Sequence, residues 1–301
     1  MRIVVALGGN AIQQRDDVGT AAEQRASIRE ACDALANLAR EHELIVTHGN
    51  GPQVGLLLAQ NEAAAPRLPE MPLDVLVAET QGMLGYMIQQ ELNAAFVRAG
   101  VGRQAVSVTT QVVVDASDPA FVRSSKPVGS FLSRAAAAEM RRAGITITEV
   151  SGGKWRRTVA SPTPIRIVEE GAIAALVQAG AVPIVAGGGG IPVVAEGNGT
   201  RGVAAVIDKD RTAALLARTF RAGMLLILTD VDAVEIDGRQ YRELGADHAA
   251  LALANGVFPP GSMGPKIEAA VTARQAGIRV VIANLDKASE AVAGESGTEI
   301  T

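Results

Sequence analysis

The chemistry open to this chain lies with three lysines, each in a setting that an ordinary solvated lysine does not share. Lys209 sits in Asp208-Lys209-Asp210 directly after the apolar run 203–207, where Asp208 can cap a helix. Lys266 follows Gly261-Ser262-Met263-Gly264-Pro265, with Pro265 suited to the first helical position. Lys126 precedes Pro127 in a proline-bearing stretch, 115–166. Two lysines at the starts of helices that follow strands direct positive charge to where a phosphate can lie.

Glycine supplies the complementary feature. Gly8-Gly9-Asn10, Gly49-Asn50-Gly51-Pro52 and the run Gly187, Gly188, Gly189, Gly190 each follow a short apolar segment. Strands that end this way leave backbone amides bare, and glycine lets an anion reach them without a Cβ in the way. In an open parallel sheet the carboxyl ends of the strands form the ligand crevice, so three such turns read together as an anion site. No GxxxxGK[ST] phosphate loop occurs. The one GxGxxG, at 197–202, does not open a helix; its Asn198-Gly199 pair reads as a hairpin turn.

Acid–base groups are scarce. The chain has 3 histidines and no Ser/His/Asp, Cys/His or HExxH arrangement. His48, beside the second glycine turn, reads as a hydrogen-bonding anchor for that loop rather than a base. The chemistry in view is the handling of anionic groups.

The elements that must position these residues follow from periodicity. Residues 2–7 form a near-continuous apolar run, a strand covered on both faces. A helix is expected over 20–42, with Ile28, Cys32, Leu35 and Leu38 inward, Thr20 as N-cap and Glu23 three residues on. A strand at 44–47, a helix from the 48–52 loop to Gln60, a long helix at 73–99 and one strand at 105–114 come next. Then follow a helix at 172–179, a strand at 182–186, a helix from Lys209, a strand at 224–228, a helix at 266–276 and a strand at 279–283. This alternation predicts an α/β fold, a mostly parallel sheet with helices on both faces. The stretch 115–166 breaks the rhythm and carries Trp155 with Lys154, Arg156 and Arg157; it reads as a lid over the site.

At 301 residues the chain can bury one large α/β domain or two lobes. A net charge of −4 gives no basic footprint for nucleic acid. The one cysteine, Cys32, excludes an internal disulfide, falls on a helix face as a buried thiol, and fits a cytoplasmic protein. The apolar start lacks the basic region of a signal peptide. The uncharged stretch 171–195 is long enough to span a bilayer, but Pro183, the four glycines and Pro192 break it, so no membrane segment is expected.

Taken in order, VVALGGNA, THGNGPQVG, TQVVVD, KPVG, GGGGIPVV, VIDKD, ILTDVDAV and GSMGPKIEAA resemble the carbamate kinases of the amino acid kinase superfamily over essentially the whole chain. The resemblance implies a three-layer αβα sandwich around an eight-stranded, mostly parallel sheet, with a protruding lid subdomain at about 115–166. Residues 1–207 would form the acceptor lobe and 208–301 the nucleotide lobe of a homodimer. Gly8, Gly9 and Asn10 would hold the transferred phosphoryl group; Gly49, Asn50 and Gly51 would hold the acceptor and share that contact. Lys209 would bridge donor and acceptor phosphates, oriented by Asp208. Lys266 would bind the nucleotide's terminal phosphates, and Lys126 would swing in from the lid. Thr229, Asp230 and Asp232, with Met263, would frame the nucleotide.

The implied reaction is reversible phosphoryl transfer between ATP and carbamate, giving ADP and carbamoyl phosphate, ATP-forming in arginine catabolism. Mg²⁺ would ride on nucleotide phosphates rather than in a carboxylate cage. Two alternatives stand beside it: a superfamily kinase with another small carboxylate or phosphate acceptor, and a nucleotide-binding regulator without turnover. Departures from the family pattern gather in the lid, where Gly152-Gly153-Lys154, Ser130 after Gly129, and Ala160 before Ser161-Pro162 stand; Gly264 replaces a larger apolar residue.

Overall fold

In Arg2–Leu7, side chains alternate between two separate cores: Ile3, Val5 and Leu7 point to one, Val4 and Ala6 to the other, and all five are buried. The computed structural model in which this is seen describes residues 1–14, 17–65, 67–151, 153–259 and 262–301; Gly152 and Gly261, singled out above, lie outside them. The first core is closed by the helices Ala21–Ala39 and Leu73–Ala99, through Ile28, Cys32, Leu35, Leu84, Ile88 and Phe96. The second is closed by Lys209–Thr219 and Met263–Gln275, through Ala213, Leu216, Ile267 and Ala270. A strand with both faces dry must be apolar throughout, which is why its sequence shows no polar alternation.

The sheet between these layers has 8 strands, in the order Glu243–Leu244, Thr298–Ile300, Arg279–Asn284, Met224–Thr229, Arg2–Leu7, Glu43–His48, Val182–Val185, Ala105–Val108. Every neighbouring pair is parallel except Arg279–Asn284 with Thr298–Ile300. Six adjacent parallel strands therefore deliver their carboxyl ends, with the loops that follow, to one edge of the sandwich.

Local signals hold where the sequence places them. Thr20 Oγ1 accepts a hydrogen bond from the Glu23 amide at 3.3 Å, and the Glu23 carboxylate accepts one from the Thr20 amide at 2.8 Å, completing a capping box. The expected hairpin forms between Ile191–Glu196 and Gly199–Gly202, but its two turn residues are Gly197 and Asn198, one position earlier than the Asn198-Gly199 pair, with Gly197 at positive φ. The stretch 171–195 resolves into helix, buried strand, glycine turn and strand, and no helix among the described residues is long and apolar enough to cross a membrane.

Two expectations need correction. The single strand at 105–114 is two: Ala105–Val108 edges the main sheet, while Gln111–Val114 belongs to a second, four-stranded sheet. The break is at Thr110, fully buried, whose amide and carbonyl are met by the Gln81 side chain at 2.8 and 3.2 Å, as a neighbouring strand would meet them. The lid stretch also ends earlier than Arg166, since Pro164–Ile167 pairs with Gln111–Val114 in that second sheet. What stands apart is a three-stranded sheet, Lys126–Leu132, Lys154–Val159 and Ile147–Ser151, with the helix Arg134–Arg142. It rests on the helix Gly51–Ala64, where Gly55 meets Gly129 so closely that a Cβ on Gly55 would lie 3.2 Å from the Gly129 backbone.

Candidate active site

The strand Arg2–Leu7 hands its ladder over to the first glycine turn. Gly8 donates its amide to the Leu228 carbonyl at 2.9 Å, and Gly49 donates to Leu7 at 3.2 Å. These two amides are thus not bare, contrary to the sequence reading; they extend the sheet. The free donors come one step later. Among the described residues no main-chain acceptor meets the amides of Gly9 and Asn10, which open a short 3₁₀ turn. A Cβ on Gly8 would lie 2.8 Å from the Leu228 oxygen, so glycine is required there by close approach, whereas at Gly9 a Cβ would meet only open space.

The second turn leads into Gly51–Ala64. Asn50 stands at its N-cap but leaves the helix uncapped; its side-chain amide donates instead to Thr80 Oγ1 at 2.8 Å. The side chain of Asn50, 3% exposed, is thereby committed to the scaffold, whereas Gly51 is exposed and its amide meets no main-chain acceptor among the described residues. His48 is 1% exposed, and its Nδ1 lies 2.9 Å from the Gly49 carbonyl, the anchoring contact expected of it. Burial pushes its pKa down to about 4, and the Lys209 charge pushes the same way, so the imidazole is neutral with Nδ1 as donor.

The third glycine run is a packing device rather than an anion turn. Gly187, Gly188, Gly189 and Gly190 are all buried. A Cβ on Gly187 would lie 2.4 Å from His48 Nε2, one on Gly188 2.1 Å from the Asn50 amide, and one on Gly189 2.4 Å from the Ile207 carbonyl. The last three of these glycines also have positive φ. Glycine here lets the backbone slide under the second turn and beside the Lys209 helix, holding both in place.

The lysines meet through two aspartates. Asp208 caps Lys209–Thr219, accepting the Asp210 amide at 2.9 Å. Its other oxygen takes the Lys126 ammonium at 2.5 Å, from the three-stranded sheet. Lys209 Nζ lies 2.7 Å from Asp210 Oδ1, and Lys266 Nζ lies 3.2 Å from Asp210 Oδ2. Burial by itself would raise the Asp208 pKa, but Lys126 and the Asp210 amide hold it below the usual carboxylate range. Burial lowers that of Lys209, against the pull of Asp210. All three predicted lysines thus belong to one linked cluster. Asp210, which ties two of them together, was given no role from sequence; the regularity of Asp-Lys-Asp at a helix start was the signal available.

A cavity of about 300 Å³ opens beside this cluster, lined by Gly8, Gly9, Asn10, Thr229, Met263 and Lys266 among others. Asp230 also lines it and accepts the Asn10 side-chain amide at 2.8 Å. The helix Met263–Gln275 points its uncapped N-terminus here. It begins at Met263, two residues before Pro265, because Gly264 already turns back to donate to Pro259 at 3.0 Å. Asp232 is not part of this lining; it pairs with Lys287 at 3.1 Å and accepts from Asn284 at 3.1 Å. Among the described residues no three His, Cys, Asp or Glu side chains group to hold a metal.

The site can therefore do one thing well. It gathers three ammonium groups, the first glycine turn and a helix N-terminus, an arrangement suited to holding a polyanion, and His48, the histidine beside the turns, is buried and neutral.

Comparison with known proteins agrees with that chemistry. The model of the amino acid kinase family matches residues 1–284. The chain is 40% identical to a carbamate kinase of Pyrococcus horikoshii, covering 100% of this chain and 99% of that protein. It is 44% identical to the carbamate kinase-like protein YqeA of Escherichia coli, covering 99% and 98%. Among solved structures it superposes on the carbamate kinase from Giardia lamblia bound to AMP-PNP with a TM-score of 0.92, at 38% identity over 99% of this chain and 98% of that one.

Proposed function

This chain belongs to the amino acid kinase family, and from that premise we propose that it is a carbamate kinase, transferring a phosphoryl group between MgATP and carbamate to give MgADP and carbamoyl phosphate. One observation carries the reading: Lys126, Lys209 and Lys266, from three distant parts of the chain, are linked through Asp208 and Asp210, and Lys266 lines a cavity together with the first glycine turn. Full-length similarity to named carbamate kinases supports it.

The chemistry suits carbamate. Its attacking oxygen is already anionic, so transfer needs no general base, and His48, the histidine beside the turns, is buried, neutral and engaged with Gly49. The difficulty is bringing one anion against another. At about 4 Å and an effective dielectric near 20, two unit charges repel by roughly 4 kcal/mol. On this reading Lys209 lies between donor and acceptor, Lys266 on the nucleotide's terminal phosphates and Lys126 on the transferred group from the lid. The amides of Gly9 and Asn10 receive the phosphoryl oxygens, and those around Gly51 the acceptor. Asp208 and Asp210 orient the lysines. In the reverse direction an oxygen of the ADP β-phosphate attacks phosphorus, the bond to carbamate oxygen breaks, and carbamate leaves as its anion with no proton moved. Magnesium enters with the nucleotide and offsets phosphate charge.

The same reading assigns acceptor binding to residues 1–207 and nucleotide binding to 208–301, in a cytoplasmic homodimer working in the ATP-forming direction in arginine catabolism. The free, buried Cys32 fits a reducing compartment. A second reading, phosphoryl transfer to another small carboxylate, is favoured by the lid departures Ser130 and Lys154 and by the close likeness to a relative named carbamate kinase-like. ADP release from ATP, measured with carbamate and with a panel of small carboxylates, separates the two. Carbamate should exceed every other acceptor; a better acceptor in the panel would replace it.

A further inference from the structure

Gln53 holds an oxygen that the fold has left without a donor. The residue is the third of the helix Gly51–Ala64 and is 3% exposed; its Oε1 is buried and meets no hydrogen-bond donor among the described residues. Neighbouring amides fix its orientation. Gln24 donates Nε2 to the Gly19 carbonyl at 2.7 Å, and Gln13 donates Nε2 to the Asp17 carbonyl at 3.4 Å. Both therefore turn their oxygens to Gln53, whose Nε2 donates to Gln13 Oε1 at 3.2 Å and to Gln24 Oε1 at 3.3 Å. Flipping Gln53 would set oxygen against two oxygens, so its Oε1 must be the group facing away. A buried acceptor without a donor is uncommon in a folded protein and marks a place where something else supplies the proton.

Gln53 lines a cavity of about 230 Å³ with Gly51, Gly55, Gly129 and Arg156. Arg156 enters from the lid strand Lys154–Val159, donates Nε to the Gly129 carbonyl at 3.0 Å and lies over Phe131. It has no carboxylate partner among the described residues, whereas its neighbour Arg157 pairs with Glu62 at 3.1 Å. Gln53, whose oxygen lies buried without a donor, and a partly buried guanidinium with unused donors thus both line one small cavity. It adjoins Gly51, two residues from Gly49, against which the Lys209 side chain packs.

We propose that this cavity is the acceptor subsite, in which Gln53 Oε1 receives an N–H of the acceptor's amino group and Arg156 holds its non-reacting oxygen. The proposal rests on the carbamate kinase reading. The ligand it describes is a planar carbamoyl group: an amino group and a carbonyl oxygen on one carbon, with the third substituent, the oxygen that carries phosphorus, turned to Gly49 and Lys209. An acetyl group of the same shape would set a methyl against the Gln53 oxygen and leave it unpaired, and sites built around a substrate N–H reject analogues that lack it.

The test compares ATP formation from ADP with carbamoyl phosphate and with acetyl phosphate, in the wild type, Gln53→Met and Arg156→Gln. Gln53→Met should raise KM for carbamoyl phosphate about tenfold and narrow the preference over acetyl phosphate by a similar factor. Arg156→Gln should lower kcat/KM for both by about a hundredfold. KM for ADP should stay within about twofold in each, since neither residue meets the nucleotide. A wild type that makes no ATP from carbamoyl phosphate sinks the functional reading itself. An active wild type with a folded Gln53→Met that keeps KM and preference sinks the subsite alone, its oxygen then being satisfied by water. Should Gln53→Met fail to fold, Arg156→Gln decides, and unchanged kcat/KM overturns the proposal.

Discussion

Lys126 places its ammonium 2.5 Å from the carboxylate of Asp208, joining the three-stranded lid sheet to the N-cap of the Lys209 helix. The pair spans 82 residues of sequence. It fixes where the lid lies and brings one cation of the site to an aspartate that also orders the helix carrying another. A phosphoryl group arriving there would compete with Asp208 for Lys126.

Lys126→Ala removes that cation without touching the main sheet. We expect kcat to fall by about two orders of magnitude, the scale of losing one charge-stabilising donor. The melting temperature should fall by several degrees while the fold is kept, because Asp208, largely buried, loses the main cation that pairs its carboxylate. Steady-state kinetics with a thermal melt checks both; an unchanged kcat removes Lys126 from the transfer step.

Asp210→Asn leaves Lys209 and Lys266 without their shared carboxylate, and both are nearly buried. Unpairing buried charge costs about 3–5 kcal/mol, so the free protein should melt well below the wild type. MgADP should recover more of that loss than it adds to the wild type, because its phosphates supply the missing negative charge. Equal stabilisation of both proteins by MgADP would mean that the two ammonium groups do not face the nucleotide.

Two glycines should respond in opposite ways. A Cβ at Gly9 meets nothing within 4 Å, so Gly9→Ala should melt like the wild type but lose turnover, the methyl standing where phosphoryl oxygens must come. Gly188 has φ of 69° and a Cβ there would strike the Asn50 amide, so Gly188→Ala should lose stability whether or not ligand is present. Full activity in a stable Gly9→Ala protein would move the phosphoryl site elsewhere.

His48 should set the acid limb of stability. Its pKa falls from 6.5 to about 4 on folding, so the unfolded chain binds a proton that the native protein refuses. Stability is complete above pH 6.5 and declines as pH falls toward 4, by about 3 kcal/mol from this residue. The Asp208 carboxyl, depressed by Lys126, releases its contribution at lower pH, below the ordinary carboxylate range. Urea titrations across pH 4–7 should show the His48 decline flattened in His48→Asn, which keeps a donor for Gly49. An identical slope in the variant would assign the loss to other groups.

Much of this was legible in the chain because it is written locally. A strand dry on both faces must read as VVAL, and a capping box at Thr20 and Glu23 is a four-residue statement. The three lysines could be singled out by helix starts and neighbouring glycines. What escaped depends on residues far apart in sequence. Gln81 splits the strand at Thr110 from 29 residues away. The run of four glycines looks like an anion turn until His48 and Asn50 are seen pressed against it. Asn50 resembles an acceptor ligand, yet Thr80 holds its side chain. The role of Asp210 needs the Met263–Gln275 helix beside it, and Gln53 acquires meaning only once Gln13 and Gln24 fix which way it faces.

The central claim is that these lysines converge on one phosphoryl group, and ATP formation from ADP and carbamoyl phosphate tests it most directly. The wild type should form ATP, and Lys209→Ala, melting within a few degrees of it, should lose about a hundredfold to a thousandfold in kcat. Near-normal turnover in a folded Lys209→Ala protein, or none in the wild type, would contradict the account.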